Sequence, residues 1–140
     1  MKVSCDMKWT QQEPRYGDIV RVKVTFYHHY GIFVDEKTVV QFGLPNNVEQ
    51  PADSVKVLTT DIYTFLGGSE LETAQLSASE RAARFSPEDT VQRALARIGE
   101  GGYHIFRNNC EHFVNDCVFG KATSSFVDTV RQGIRDKLKK

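Results

Sequence analysis

The sequence predicts an α+β fold, an antiparallel β-sheet packed against helices. Three observations point there. Segments rich in β-branched and aromatic residues follow one another between residues 17 and 58. Helical periodicity sets in only at residue 86. Nowhere do strand and helix patterns alternate as βαβ units would. The 140 residues suit one domain, 1–140, with a core over about 14–127 and a basic amphipathic tail over about 124–140.

Each element has its own signal. GDIVRVKV (17–24) alternates Ile19, Val22 and Val24 imperfectly with Arg21 and Lys23, a strand pattern. YGIFV (30–34) and TVVQF (38–42) read as a hairpin across Asp35-Glu36-Lys37. Pro45 and Pro51 break regular structure, VKVL (55–58) is a short strand, and DIYTFLGGSELE (61–72) reads as a loop around Gly67–Gly68. Ser86-Pro87-Glu88-Asp89 then opens a helix: a capping serine, proline at the first turn, and acidic residues matched to the dipole. Its apolar stripe is Val91, Ala94, Leu95 and Ile98, and Gly99 or Gly101–Gly102 ends it. YHIF (103–106) suggests another strand. A second helix starts near Asn109, carries Phe113, Val114 and Cys117, and stops at Gly120. In the tail, Phe126, Val130, Ile134 and Leu138 recur every four residues among Arg and Lys. Such a stretch can pack on the domain or lie on an anionic membrane surface.

Composition narrows the function classes. Eighteen basic and 18 acidic side chains give a net charge of zero, which offers nucleic acid no electrostatic footing. No apolar run is long enough to span a bilayer, and MKVSCDMKWTQQEP has no apolar signal region, so a cytoplasmic location is expected. Cys5, Cys110 and Cys117 are an odd set without C-x-x-C spacing, which argues against a disulfide framework or a zinc site. Neither a cofactor nor a metal is expected.

The candidate chemistry is that of a thiol. Cys110, in RNNCEHFV (107–114), falls at a helix start, where free N–H groups and the dipole favour thiolate. Cys117 lies two turns deeper and reads as a small core residue, and Cys5 as incidental. A thiol nucleophile needs a base, and there are four histidines. His112 follows Cys110 by two residues on a helix and cannot reach back. His104 precedes it on a strand and reads as structural. His28 and His29 are strand neighbours and point to opposite faces. With a three-residue hairpin loop, Val34 faces Thr38 and Gly31 faces Gln41, so His29, Gly31, Phe33, Val39 and Gln41 share one face. Gly31 leaves room there for the imidazole and the Gln41 amide to meet.

These residues resemble a known family. HYGIFV (29–34) followed by NCEHFVN (109–115) is similar to the lecithin:retinol acyltransferase family, which includes the phospholipase A/acyltransferase proteins. YGDIVRV (16–22) and FVNDCVFGKATS (113–124) extend the resemblance, which covers residues 16–43 and about 86–127. It implies a circularly permuted papain-like fold with the nucleophile at a helix N-terminus. Cys110 would form an acyl thioester, and His29 would be its general base. Gln41 would stand where the family usually has a second histidine. An amide can orient an imidazole by one hydrogen bond, yet it cannot share an imidazolium's charge. Asn109, the Cys110 N–H, Tyr27 or Tyr30 would line the oxyanion hole. The implied partner is a phospholipid or other acyl donor. The alternatives are a cysteine amidase or peptidase of the same superfamily, and a non-catalytic interaction module whose triad Gln41 has weakened.

Overall fold

The computed structural model describes residues 7–25, 27–44, 51–104, 108–121, 132 and 135–137. Cys5, residues 105–107 and the tail positions Phe126, Val130, Ile134 and Leu138 lie outside them.

Among the described residues, six strands form one sheet: β1 (Lys8–Thr10), β2 (Ile19–Val24), β3 (Tyr27–Asp35), β4 (Thr38–Phe42), β5 (Val57–Thr60) and β6 (Glu72–Gln75). Their order is β1-β6-β2-β3-β4-β5, and each neighbouring pair is antiparallel. The helices are α1 (Ile62–Leu66), α2 (Ala78–Ala83), α3 (Pro87–Ala96) and α4 (Cys110–Phe119), with a 3₁₀ turn at Ala52–Ser54. The α+β class with an antiparallel sheet is therefore as the sequence predicts.

The sheet buries both faces, which is why β3 and β4 read as near-continuous apolar runs. On one side Ile19, Tyr30, Ile32, Val40, Phe42 and Val57 pack with Val91 and Ala94 of α3 and with Phe113, Val114, Cys117 and Val118 of α4. On the other, Val20, Val22, Phe33 and Val39 pack with Ile62 and Phe65 of α1. Phe113 is fully buried and meets Phe42 edge-on at 6.3 Å; burying such a ring stabilises by about 2–3 kcal/mol.

Several boundaries differ from expectation. The β3–β4 turn has two residues, Glu36 and Lys37, because Asp35 rather than Val34 faces Thr38 and the register shifts between Phe33 and Asp35. That bulge absorbs the missing loop residue, and Gly31 still faces Gln41. The segment 61–72 is not a plain loop: Asp61 caps α1 by accepting from the Thr64 N–H, Gly67 closes it at φ 55°, and β6 follows. VKVL shifts to Val57–Thr60. Helix α3 starts at the Ser86 cap as expected but ends at Ala96, leaving Ile98 49% exposed instead of in the stripe. Of the expected strand at 103–106, residues 105 and 106 lie outside the described residues, and His104 forms an isolated bridge with Asn108.

Candidate active site

The site is assembled where three elements converge: the start of α4, the first half of β3, and the β4–β5–α1 corner. At α4, the Asn109 carboxamide oxygen accepts from the N–H groups of Glu111 (2.9 Å) and His112 (3.0 Å). The His112 Nδ1 accepts in return from the Asn109 N–H at 3.0 Å. This reciprocal cap makes Cys110 the first helical residue. It also gives both Asn109 and His112 capping duties in the motif.

The thiol of Cys110 belongs to the cluster on the α3–α4 side and reaches the β3 backbone where the β3–β4 ladder stops. The β3–β4 ladder runs from Asp35↔Thr38 to Gly31↔Gln41. Beyond that last pair, Cys110 Sγ stands 3.9 Å from the His28 carbonyl oxygen and takes a hydrogen bond from the Tyr30 N–H. The thiol thus brackets the backbone of His29 on both sides.

His29 sits on the face the register argument predicts. Its Nε2 is 3.0 Å from Gln41 Oε1. The Gln41 Nε2 donates to Thr60 Oγ1 at 2.8 Å and to the Val39 carbonyl at 3.2 Å. Both partners receive, so the amide nitrogen is turned away from the ring and the amide oxygen toward it. His29 must then donate from Nε2, and in the neutral ring Nδ1 is left as the proton acceptor. Phe65 covers the imidazole at 5.5 Å between centroids. The space above Gly31 is filled by Val39 and Phe65, since a Cβ there would come within 2.7 Å of Val39 Cγ1 and 2.9 Å of Phe65 Cε1. Gly31 therefore admits the ring that clamps His29, rather than leaving a gap for the His29–Gln41 contact.

Burial dominates the electrostatics. His29 is 3% and Cys110 5% exposed. Burial pulls the His29 pKa down to about 4, against the acceptors Gln41 and the Gly43 backbone, which favour the protonated ring. Burial likewise pushes the Cys110 thiol up to about 12. The N–H groups of Tyr30, Cys110 and Glu111 oppose this, while the Glu111 charge adds to it. The helix-start effect thus acts in the expected direction but is outweighed, and buried Cys117 reaches about 12 as well. The resting pair is thiol and neutral imidazole. Among the described residues no hydrogen bond joins Cys110 to His29.

The remaining candidates separate cleanly. His28 points to the opposite face, half-buried, 3.8 Å from Glu72. His104 is exposed. Tyr30 packs on Trp9 at 5.8 Å, and its hydroxyl answers to Arg21 and Glu111 rather than to the thiol alone. Tyr27 is half-buried, and burial first, then proximity to Cys110, raises its hydroxyl pKa above the ordinary value. The same two causes raise that of Tyr103, a residue without a site signal in the sequence, which meets Phe42 edge-on at 5.2 Å. Thr60 was also missed, for its only signal is its position in the strand next to Gln41. No helix among the described residues is long and apolar enough to cross a membrane.

A family model described as "Lecithin retinol acyltransferase" matches residues 12–123. Lecithin retinol acyltransferase of Mus musculus is 27% identical over 147 residues, covering 86% of this chain and 63% of that protein. Phospholipase A and acyltransferase 3 of Homo sapiens is 30% identical over 131 residues, covering 84% of this chain and 78% of that protein. Phospholipase A and acyltransferase 5 of Rattus norvegicus is 27% identical over 130 residues, 86% of this chain and 44% of its own length. The chain thus spans less than two thirds of the mouse relative's length.

Proposed function

The chain belongs to the lecithin retinol acyltransferase family, and on that premise we propose that it is a thiol-dependent acyltransferase or phospholipase-like hydrolase acting on glycerophospholipid acyl esters. The observation that carries the reading is the buried His29 Nε2–Gln41 Oε1 hydrogen bond on the strand segment flanked by the Cys110 thiol. In this reading residues of about 14–127 form the catalytic domain, with the topology of a circularly permuted papain-like hydrolase.

Cys110 is the nucleophile, His29 the general base and Gln41 the residue that orients it. Because both members of the pair rest uncharged, proton transfer and attack proceed together. Sγ bonds to the ester carbonyl carbon while its proton passes to His29 Nδ1. The resulting oxyanion is met by backbone N–H at the start of α4, from Cys110. Collapse breaks the acyl C–O bond, His29 returns the proton to the departing lysolipid oxygen, and the acyl thioester remains. An alcohol, amine or water then gives its proton to His29 and attacks the thioester, releasing the Cys110 thiol. Catalytic hydrogen bonds commonly tighten only when substrate is bound, so the Cys110–His29 step belongs to the complex.

The test is incubation with a defined phosphatidylcholine followed by intact-mass measurement. An acyl adduct on the wild type, absent from Cys110→Ala, is the expected result. Absence of both the adduct and free fatty acid would refute the lipid reading.

A further inference from the structure

We propose that Thr60 is a positioning residue that sets the tautomer of His29 through Gln41; the catalytic part of this inference rests on the acyl-transfer reading above. The argument follows one chain of hydrogen bonds. The Thr60 hydroxyl donates to the Asp61 carbonyl at 3.0 Å. Its proton is therefore committed, and its lone pair faces Gln41 Nε2 at 2.8 Å. Gln41 is fully buried, so its amide cannot turn to water for a substitute partner. Thr60 is the shorter of the two acceptors that hold the amide nitrogen, the Val39 carbonyl being at 3.2 Å.

Direction matters more than strength here. A glutamine amide is close to symmetric in shape, and a rotation by half a turn exchanges oxygen for NH₂. With oxygen toward the ring, His29 carries its proton on Nε2 and Nδ1 is free to accept one. With NH₂ toward the ring, Nε2 becomes the acceptor and the proton moves to Nδ1, which can then no longer act as base. Thr60 fixes the first arrangement. A histidine at position 41 could meet the same need by choosing its own tautomer, whereas the amide depends on its neighbours.

The same corner holds the ring from another side. Thr60 ends β5, Asp61 caps α1, and α1 carries Phe65, which covers His29. One short stretch of chain, 60–65, thus controls both the ring's face and its proton.

The experiment compares wild type, Thr60→Val and Thr60→Ser, each with ¹⁵N-labelled histidine. Two readouts are taken: the imidazole ¹⁵N shifts of His29 without substrate, and kcat and KM on a short-chain phosphatidylcholine. The expected result in Thr60→Val is a shift of His29 away from the Nε2–H tautomer and a kcat about tenfold lower, as loss of one buried hydrogen bond implies. KM should be unchanged and Thr60→Ser should recover both values. Unchanged ¹⁵N shifts in Thr60→Val overturn the proposal. Shifted resonances with an unchanged kcat overturn its catalytic part, and a serine variant as impaired as the valine one assigns the loss to packing and overturns it too. If no variant, wild type included, transfers acyl groups while the shifts still follow Thr60, the positioning stands and the acyl-transfer reading falls.

Discussion

The His29 Nε2 and the Gln41 Oε1 face each other at 3.0 Å within a sheet that buries both side chains. A neutral amide can orient an imidazole but cannot stabilise its charge, and burial of the ring compounds the difference. The consequences are measurable.

Replacing Gln41 tests its role directly. Gln41→Ala removes the acceptor for His29 and should lower kcat by roughly 10²-fold, within the range for a group that positions a general base. Gln41→His should retain most activity, since a ring nitrogen can accept the same bond. Equal activity in all three proteins would remove Gln41 from the mechanism.

Stability should carry a signature of His29 in acid. Unfolded, the ring takes its proton near 6.5; folded, only near 4. Between those values the unfolded state binds more protons, so stability is full above about pH 6.5 and declines as the pH falls to 4. The loss should approach 3 kcal/mol, a figure of about that order from a shift of this size. Urea denaturation across this window, set against His29→Asn, isolates the contribution, and the variant should show a shallower acid slope.

Thiol labelling should be slow and base-dependent. With a pKa of about 12, Cys110 is thiolate in only about one molecule in 10⁵ at neutral pH. Iodoacetamide should therefore label native Cys110 no faster than Cys117 at pH 7, and labelling of both should rise with pH without a plateau near neutrality. A neutral-pH plateau for Cys110 alone would reveal a preformed thiolate.

Gly31→Ala should disturb His29, the proposed base, without touching it. The added methyl meets Val39 Cγ1 and Phe65 Cε1 inside 3 Å, and such overpacking costs about 1–3 kcal/mol. Because Phe65 covers His29, its displacement should also lower kcat beyond the effect on folded fraction. Thermal denaturation and active-site titration by acyl adduct separate the two losses.

Removing the cap of α4 gives a complementary result. Asn109→Ala frees the N–H groups of Glu111 and His112 and should cost about 1–2 kcal/mol, while Asn109→Asp keeps the cap. Equilibrium unfolding of the two variants checks the contrast.

Local signals made much of this arrangement legible. Asn109 announced the start of α4, Ser86-Pro87 the start of α3, and side-chain parity paired His29 with Gln41. Less legible was what depends on distant chain. Strand β6 is only ETAQ, without an apolar alternation, and owes its existence to pairing with β1 and β2. Helix α1 was hidden by Gly67–Gly68, which signal a loop whether or not a short helix precedes them. The thiol's pKa followed the same rule: its place at a helix start can be read from a dozen residues, but the burial that overrides that placement is a property of the whole core.

The place of the thiol at the end of the ladder has a further meaning. Cys110 Sγ takes the hydrogen bond of the Tyr30 N–H just past the point where the β3–β4 ladder ends, so the sulfur doubles as a rung of the sheet. Under the proposed acyl-transfer reading, nucleophile and scaffold share that rung. Any change made to the sulfur then edits the backbone lattice beside His29, and each proposed turnover would unmake and remake a small piece of the fold.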